Sequence, residues 1–214
     1  LFSSGQIKKD ISYFFYFLMN EEGEIPGVED AFLFFNDVGG RPFDITVGQF
    51  QVADMLVPRE LRPTFEDYAI YGIKPGMTKA DLTYDRGIIL NYNFPSETDI
   101  SLSVVNGNGI GPATGGFYDS DPYKNFIIRL RQTLSSSITL GALGYLGRES
   151  TSGNINRFSM IGGDAMYTFD TFELLGQYIY RHDANPFFLT GEDSPINSRG
   201  GFVQLMYAPQ SNKS

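Results

Sequence analysis

Along most of this chain apolar and polar residues alternate, in runs of about ten residues, the length of a tilted membrane-spanning strand. The pattern predicts strands at 10–20, 28–37, 43–53, 85–94, 98–106, 124–133, 137–147, 157–169, 171–182 and 199–208. Three runs are the cleanest. Ile100, Leu102 and Val104 alternate with Ser101 and Ser103; Phe126, Ile128 and Leu130 with Asn125, Arg129 and Arg131; Phe172, Leu174, Tyr178 and Tyr180 with Glu173, Gln177 and Arg181. Successive side chains on a strand point to opposite faces, so each of these strands has one apolar and one polar face. Two places break the rule: Phe14 to Met19 is apolar on both faces, and the phase switches near Gly48 and Gln49.

The connections alternate as well. Asn36 to Pro42, Pro95 to Glu97, Leu134 to Ser136 and Phe169 to Thr171 are short, whereas 54–84, 107–123, 148–156 and 183–198 are long. Short turns at one end and long loops at the other are the rhythm of an outer-membrane barrel. The expectation is therefore an all-β fold: an antiparallel up-and-down transmembrane β-barrel, partial, with about ten strands present. It would form one domain over 1–214, truncated at both ends. A soluble β-rich binding module is the alternative that the pattern leaves open.

Composition removes several classes of function. The chain has no cysteine, which excludes disulfide frameworks, thiol nucleophiles and zinc–thiolate sites. Its net charge of −9 argues against a nucleic-acid partner. No apolar run approaches the roughly 20 residues of a membrane-spanning helix. With 19 Phe, 13 Tyr and 24 Gly, the composition suits strands joined by tight turns.

Candidate chemistry is sparse. His182 is the single histidine; Ser194 and Asn185 lie nearby, but a triad also needs a positioned third group and an oxyanion hole, which no residue here marks. No catalytic role, cofactor or metal is expected. The glycines from Gly107 to Gly116 precede no helix and read as a surface loop. The acidic groups Glu21, Glu22, Glu24, Glu29, Asp30, Asp119, Asp121, Glu192 and Asp193 lack calcium-loop spacing and read as loop charge.

The basic residues are more informative. Lipid would penalise an arginine by about 2–4 kcal/mol at the midplane. A membrane-spanning strand 124–133 must therefore turn Arg129 and Arg131 inward, and Arg181 follows by parity. Ser101, Ser103 and Gln177 complete the expected pore lining. The three arginines would bias the lumen toward anions, unless Glu173 or Asp164 neutralises them. The long loop 54–84 carries Arg59, Glu60, Arg62, Glu66 and Asp67 and is the candidate constriction, if it folds inward rather than capping the outside.

Four strings occur in order: Asp44 to Phe50 (DITVGQF), Tyr84 to Gly87 (YDRG), Ser103 to Gly107 (SVVNG) and Leu140 to Gly147 (LGALGYLG). Together, over about residues 28–147, they resemble the phosphate-selective porin O and P group and its looser relatives. The resemblance implies a large antiparallel barrel in the cell outer membrane, a passive channel for small solutes, phosphate-like anions among them. Its partners would be outer-membrane lipid, lipopolysaccharide and further copies of itself. The chain departs from that group in lacking a dense Arg and Lys ladder. A structural barrel that sheathes or docks a partner protein is the second reading of the same barrel.

Overall fold

The computed structural model describes residues 2–18, 27–59, 62–63, 67–113, 116–119, 121–191 and 194–207. These form eleven strands: β1 (Phe2–Lys8), β2 (Ile11–Leu18), β3 (Gly27–Phe35), β4 (Phe43–Gln51), β5 (Tyr84–Phe94), β6 (Thr98–Val105), β7 (Asn125–Ser135), β8 (Ile138–Thr151), β9 (Asn154–Phe169), β10 (Phe172–Asp183) and β11 (Ile196–Tyr207). All lie in one sheet in sequence order, each antiparallel to the next, with β1 and β11 at the edges. The fold is all-β, up-and-down, with single 3-10 turns at Val38–Gly40 and Val52–Met55 and no α-helix among the described residues.

Each of the ten runs found by alternation is a strand. The eleventh, β1, carries no apolar alternation and was not expected. A second correction concerns 148–156, read above as a long loop. There β8 and β9 continue to a tight turn at Ser152 and Gly153, with Arg148 opposite Arg157 and Thr151 opposite Asn154. The hairpin's end is polar on both faces, so backbone pairing persists where the hydrophobic pattern stops. The longest loops, 52–83, 106–124 and 184–195, leave the sheet at one end, and the tight turns between β5 and β6, β7 and β8, and β9 and β10 at the other.

Residues directly opposite one another share a face. One such row runs Thr46, Ile89, Ser103, Ile127, Tyr145, Met160, Arg181 from β4 to β10. All of these are buried. The adjacent row, Val47, Ile88, Val104, Phe126, Leu146, points the other way and is exposed, Phe126 by 58%. The sheet thus has a covered inner face and a bare, largely apolar outer one.

The apolar band on the outer face crosses the strands obliquely. On β6 it comprises Ile100, Leu102 and Val104; on β11 it comprises Val203, Leu205 and Tyr207. The row of Val104 arrives on β11 at Asn197, and the row of Ile100 arrives at Gly201. Both limits of the band therefore fall by six residues, roughly 20 Å, over five strand spacings, roughly 24 Å, a slope of about 40°. Aromatic rings follow its lower limit: Tyr167, Phe169, Phe172 and Tyr207 contact in series, with centroids 5.1–5.5 Å apart.

What covers the inner face is the loop 52–83 between β4 and β5. Its Val52, Ala53, Leu56, Ile70, Tyr71, Ala80 and Leu82 form one core with Ile89, Val105, Ile127, Leu143, Tyr145, Phe158, Met160 and Ile179 of the wall. Arg59 of this loop reaches Asp30 on β3 at 3.4 Å, and Tyr68 stacks on Phe202 of β11 at 4.0 Å between centroids. In a flat sheet β3 and β11 would stand eight spacings apart, roughly 38 Å. The sheet is therefore curled around the loop.

Gly48 permits the close approach of β3 and β4. Its φ is +144°, and an added Cβ would lie 2.3 Å from the Ala31 carbonyl oxygen. This conformation is also where the alternation changes phase: Val47 is exposed, while Gln49, Phe50 and Gln51 are buried in succession. Gly48→Ala is expected to destabilise the fold by about 2 kcal/mol or more. Its midpoint in urea should fall clearly below that of the wild type; an unchanged midpoint would remove Gly48 from this role.

Candidate functional site

An irregular segment can lie inside a curled sheet only if its peptide groups find partners there. The wall supplies them from charged and amide side chains. Arg129 Nε donates to the Met55 carbonyl at 3.3 Å. Arg181 Nη1 donates to the carbonyls of Ile73 (2.9 Å) and Ala80 (2.6 Å). Glu149 accepts from the backbone N–H groups of Lys79 (2.7 Å) and Ala80 (2.6 Å). Gln177 accepts from the Tyr71 hydroxyl at 2.6 Å. Burial pushes the Tyr71 phenol far above its ordinary pKa, so it remains a donor throughout the physiological range.

The loop is also bound to itself. The Arg62 guanidinium is buried within it and donates to Val57 O, Gln51 Oε1, Asp54 Oδ1 and Asp67 Oδ1 at 2.6–3.1 Å. Its plane lies 5.4 Å from the Tyr71 ring centroid. Arg59 takes the same Gln51 oxygen at 3.0 Å and reaches outward to Glu29 and Asp30 on β3 and the Tyr84 hydroxyl on β5. Arg62 therefore organises the loop, and Arg59 staples it to the wall. Glu60 and Glu66 lie outside the described residues, as do Glu21, Glu22, Glu24, Glu192 and Asp193.

The residues expected at a pore wall are all on the inner face, but they have different surroundings. Arg129 is 2% exposed and pairs with Asp164 two strands away at 2.6 Å. Arg181, also 2% exposed, pairs with Asp183, the next residue on its own strand face, at 2.6 Å. Both guanidiniums are thus charge-compensated and covered by the loop. Arg131 lies toward the short-turn end, exposed, 3.8 Å from Asp99. Ser103 is buried, and its hydroxyl lies 3.2 Å from Met55 Sδ. Gln177 is held by Tyr71. Of the six, Ser101 borders open space.

That space is a cavity of about 600 Å³ between the loop and β1–β6. Ser4, Ser12, Thr46, Asn91 and Ser101 line one part, Phe14, Phe32 and Phe34 another, and Asp54 and Met55 the loop side; Asp30, read above with Glu29 as loop charge, is instead a buried residue of β3 facing the loop. The loop thus fills the β6–β11 half of the concavity and leaves this mixed polar and aromatic cavity beside the other half. Phe14 stacks on Phe32 there at 5.4 Å, which explains why β2 is apolar on both faces.

His182 points outward, with Nδ1 2.7 Å from Asn197 Oδ1, while Asn185 is buried and bonded to Leu189. The structure does not bring them together. Sequence reasoning missed the side chains that clamp the loop with the arginines: Glu149, Tyr71, Asp183, and Asn156, whose Nδ2 donates to Asp183 Oδ1 at 2.8 Å. Asp183 was legible in principle, because Arg181 and Asp183 share a face by period two. Glu149 and Tyr71 were not, because each needs the loop's inward path.

Truncating one half of a buried ion pair leaves the other half uncompensated. Arg129→Met is expected to cost about 3–5 kcal/mol and to open the loop to added protease. Arg129→Met with Asp164→Leu should recover most of that loss. Equal destabilisation by the single and the double variant would contradict the pairing.

No family model matches the chain, and no curated protein matches it.

Proposed function

We propose that this sheet is an arc of an outer-membrane β-barrel, and that the protein is a porin-like channel for small solutes, narrowed by the inserted loop 52–83. The observation that carries the reading is the oblique apolar band. Strands of outer-membrane barrels tilt by about 35–45° from the membrane normal. A flat bilayer slab then crosses such strands on a slant, and the slope of about 40° has that magnitude. A soluble sandwich would bury an apolar band of this extent against a second sheet, whereas here exposed Phe126, Leu146, Ile161 and Val203 face away from the only core among the described residues. The girdle of rings along the lower limit suits a membrane–water interface. Long loops at the opposite end suit the cell exterior.

With an odd number of antiparallel strands, β1 and β11 run in the same direction. These two edges cannot pair antiparallel with each other, so the eleven strands among the described residues form an arc rather than a closed barrel.

Within this reading the passage beside the loop is the solute path. Its charge comes from Asp30 and Asp54, each opposed by an arginine of the loop. Arg129 and Arg181 contribute no net charge to it, since Asp164 and Asp183 neutralise them. A passage so balanced favours a general channel over a phosphate-selective one.

The test is conductance of the full-length natural protein in planar bilayers, with a heat-modifiability gel to report folding in detergent. Discrete conductance steps are expected, rising about twofold or more when residues 56–80 are replaced by a short glycine linker. Reversal potential in a salt gradient should ignore the charge-balanced pair change Arg129→Met/Asp164→Leu and shift toward anions in the Asp30→Asn/Asp54→Asn variant. A folded, heat-modifiable protein that is silent with and without the loop would instead favour a barrel that sheathes a partner.

A further inference from the structure

Just beyond the upper limit of the apolar band, β8–β11 carry three arginines on the outer face. Arg148 and Arg157 stand directly opposite one another across the β8–β9 hairpin. Arg199 lies on β11, about four residues lower and three strands from Arg148. That is roughly 14 Å down over roughly 14 Å across, so the trio descends with the band. All three are exposed, and none has an ion pair or a side-chain hydrogen bond among the described residues. Other cations at the same level are engaged. Arg86 donates to Gln49 Oε1 (2.9 Å) and Ile110 O (3.0 Å) and lies over Tyr118, and Lys124 pairs with Asp119. Between the arginines stand polar groups, Tyr180 and His182 around Asn197.

Below the trio, on the same strands, the band is dented. Gly163, Ala165, Gly176 and Gly201 present no long side chain, and Leu140, Tyr178 and Val203 rise around them to bound a groove of about 840 Å³. The groove begins at Gly201, two residues below Arg199.

We propose that the outer face of β8–β11 binds an anionic, acylated lipid, with phosphate groups on Arg148, Arg157 and Arg199 and acyl chain in the groove. The proposal rests on the membrane reading above. Like charges placed directly opposite on neighbouring strands repel, and a phosphate between Arg148 and Arg157 turns that cost into two charge-assisted contacts. The planar guanidinium fork matches phosphate oxygens in pairs. The trio sits where the apolar band ends, which is the level of lipid headgroups. A second copy of the chain fits worse, because a two-fold interface on this face would set the arginines of one copy against those of the other.

The experiment is native mass spectrometry of the full-length protein released from nanodiscs. The discs contain either diphosphoryl lipid A or the same lipid after enzymatic dephosphorylation. The wild type should retain the phosphorylated form about tenfold more than the dephosphorylated one. Arg148→Gln/Arg157→Gln/Arg199→Gln should abolish that preference. Gly176→Leu, whose added Cβ meets nothing closer than 3.8 Å, should lower retention of both forms by filling the groove. Equal retention of the two lipids by the wild type would overturn the proposal. So would full displacement by inorganic phosphate, which would make the site one for the free anion, or a lipid-free dimer broken by the triple variant. Entry of each protein into nanodiscs is scored first. A wild type that never enters them refutes the membrane reading instead.

Discussion

The inner face of this sheet depends on one requirement: a loop without regular secondary structure must have its peptide groups satisfied where water is scarce. Strands meet that requirement with one another, and the loop 52–83 cannot. Arg129, Arg181, Glu149 and Gln177 are the wall's answer, and each lies on the inner parity of its strand. The charges are retained despite their desolvation cost because each has a fixed counter-ion or a backbone group to hold. Arg181 is the fullest case. Its guanidinium spans Asp183, two loop carbonyls and the Phe158 ring, 4.8 Å from the centroid. A lysine there would supply a point charge but not the fork.

This requirement decides what the inner arginines can do. A guanidinium spent on a carbonyl and an aspartate projects little field into the neighbouring cavity. The sequence pattern gave the arginines their face correctly, because period two is a local property. Their partners are not local. Arg129 meets Asp164 across an intervening strand, in a space that Gly141 leaves open: a Cβ on Gly141 would lie 2.2 Å from the guanidinium nitrogens. The candidate site was therefore legible as a set of inward side chains but not as a clamp.

The strands themselves were legible where one face is bare and apolar and the other meets a core. They were illegible where that contrast ends. β1 has no covered face, and all but one of its residues are exposed. Arg148–Thr151 and Asn154–Arg157 pair beyond the apolar band, so the hairpin is extended by backbone pairing and by polar contacts such as those of Glu149 and Asn156 rather than by a hydrophobic face. The inward path of the loop is a different kind of omission. Its apolar residues, Val52, Ala53, Leu56, Ile70, Tyr71, Ala80 and Leu82, follow no period, because an irregular segment has none. Density of apolar residues within a long connection was the available signal.

The two faces also constrain one another. The oblique band fixes how far each strand is shifted against the next, and the same shift carries inner rows round the curl toward the loop. Gln177 on β10 faces Tyr71, and Ser103 on β6 faces Met55, because register brings each to the depth at which the loop passes. Changing register by one residue would turn Arg129 and Arg181 outward and Phe126 and Leu146 inward. The outer apolar face and the inner polar clamp therefore select the same register. An arginine that must leave the apolar face and a loop carbonyl that must find a donor are satisfied by one placement.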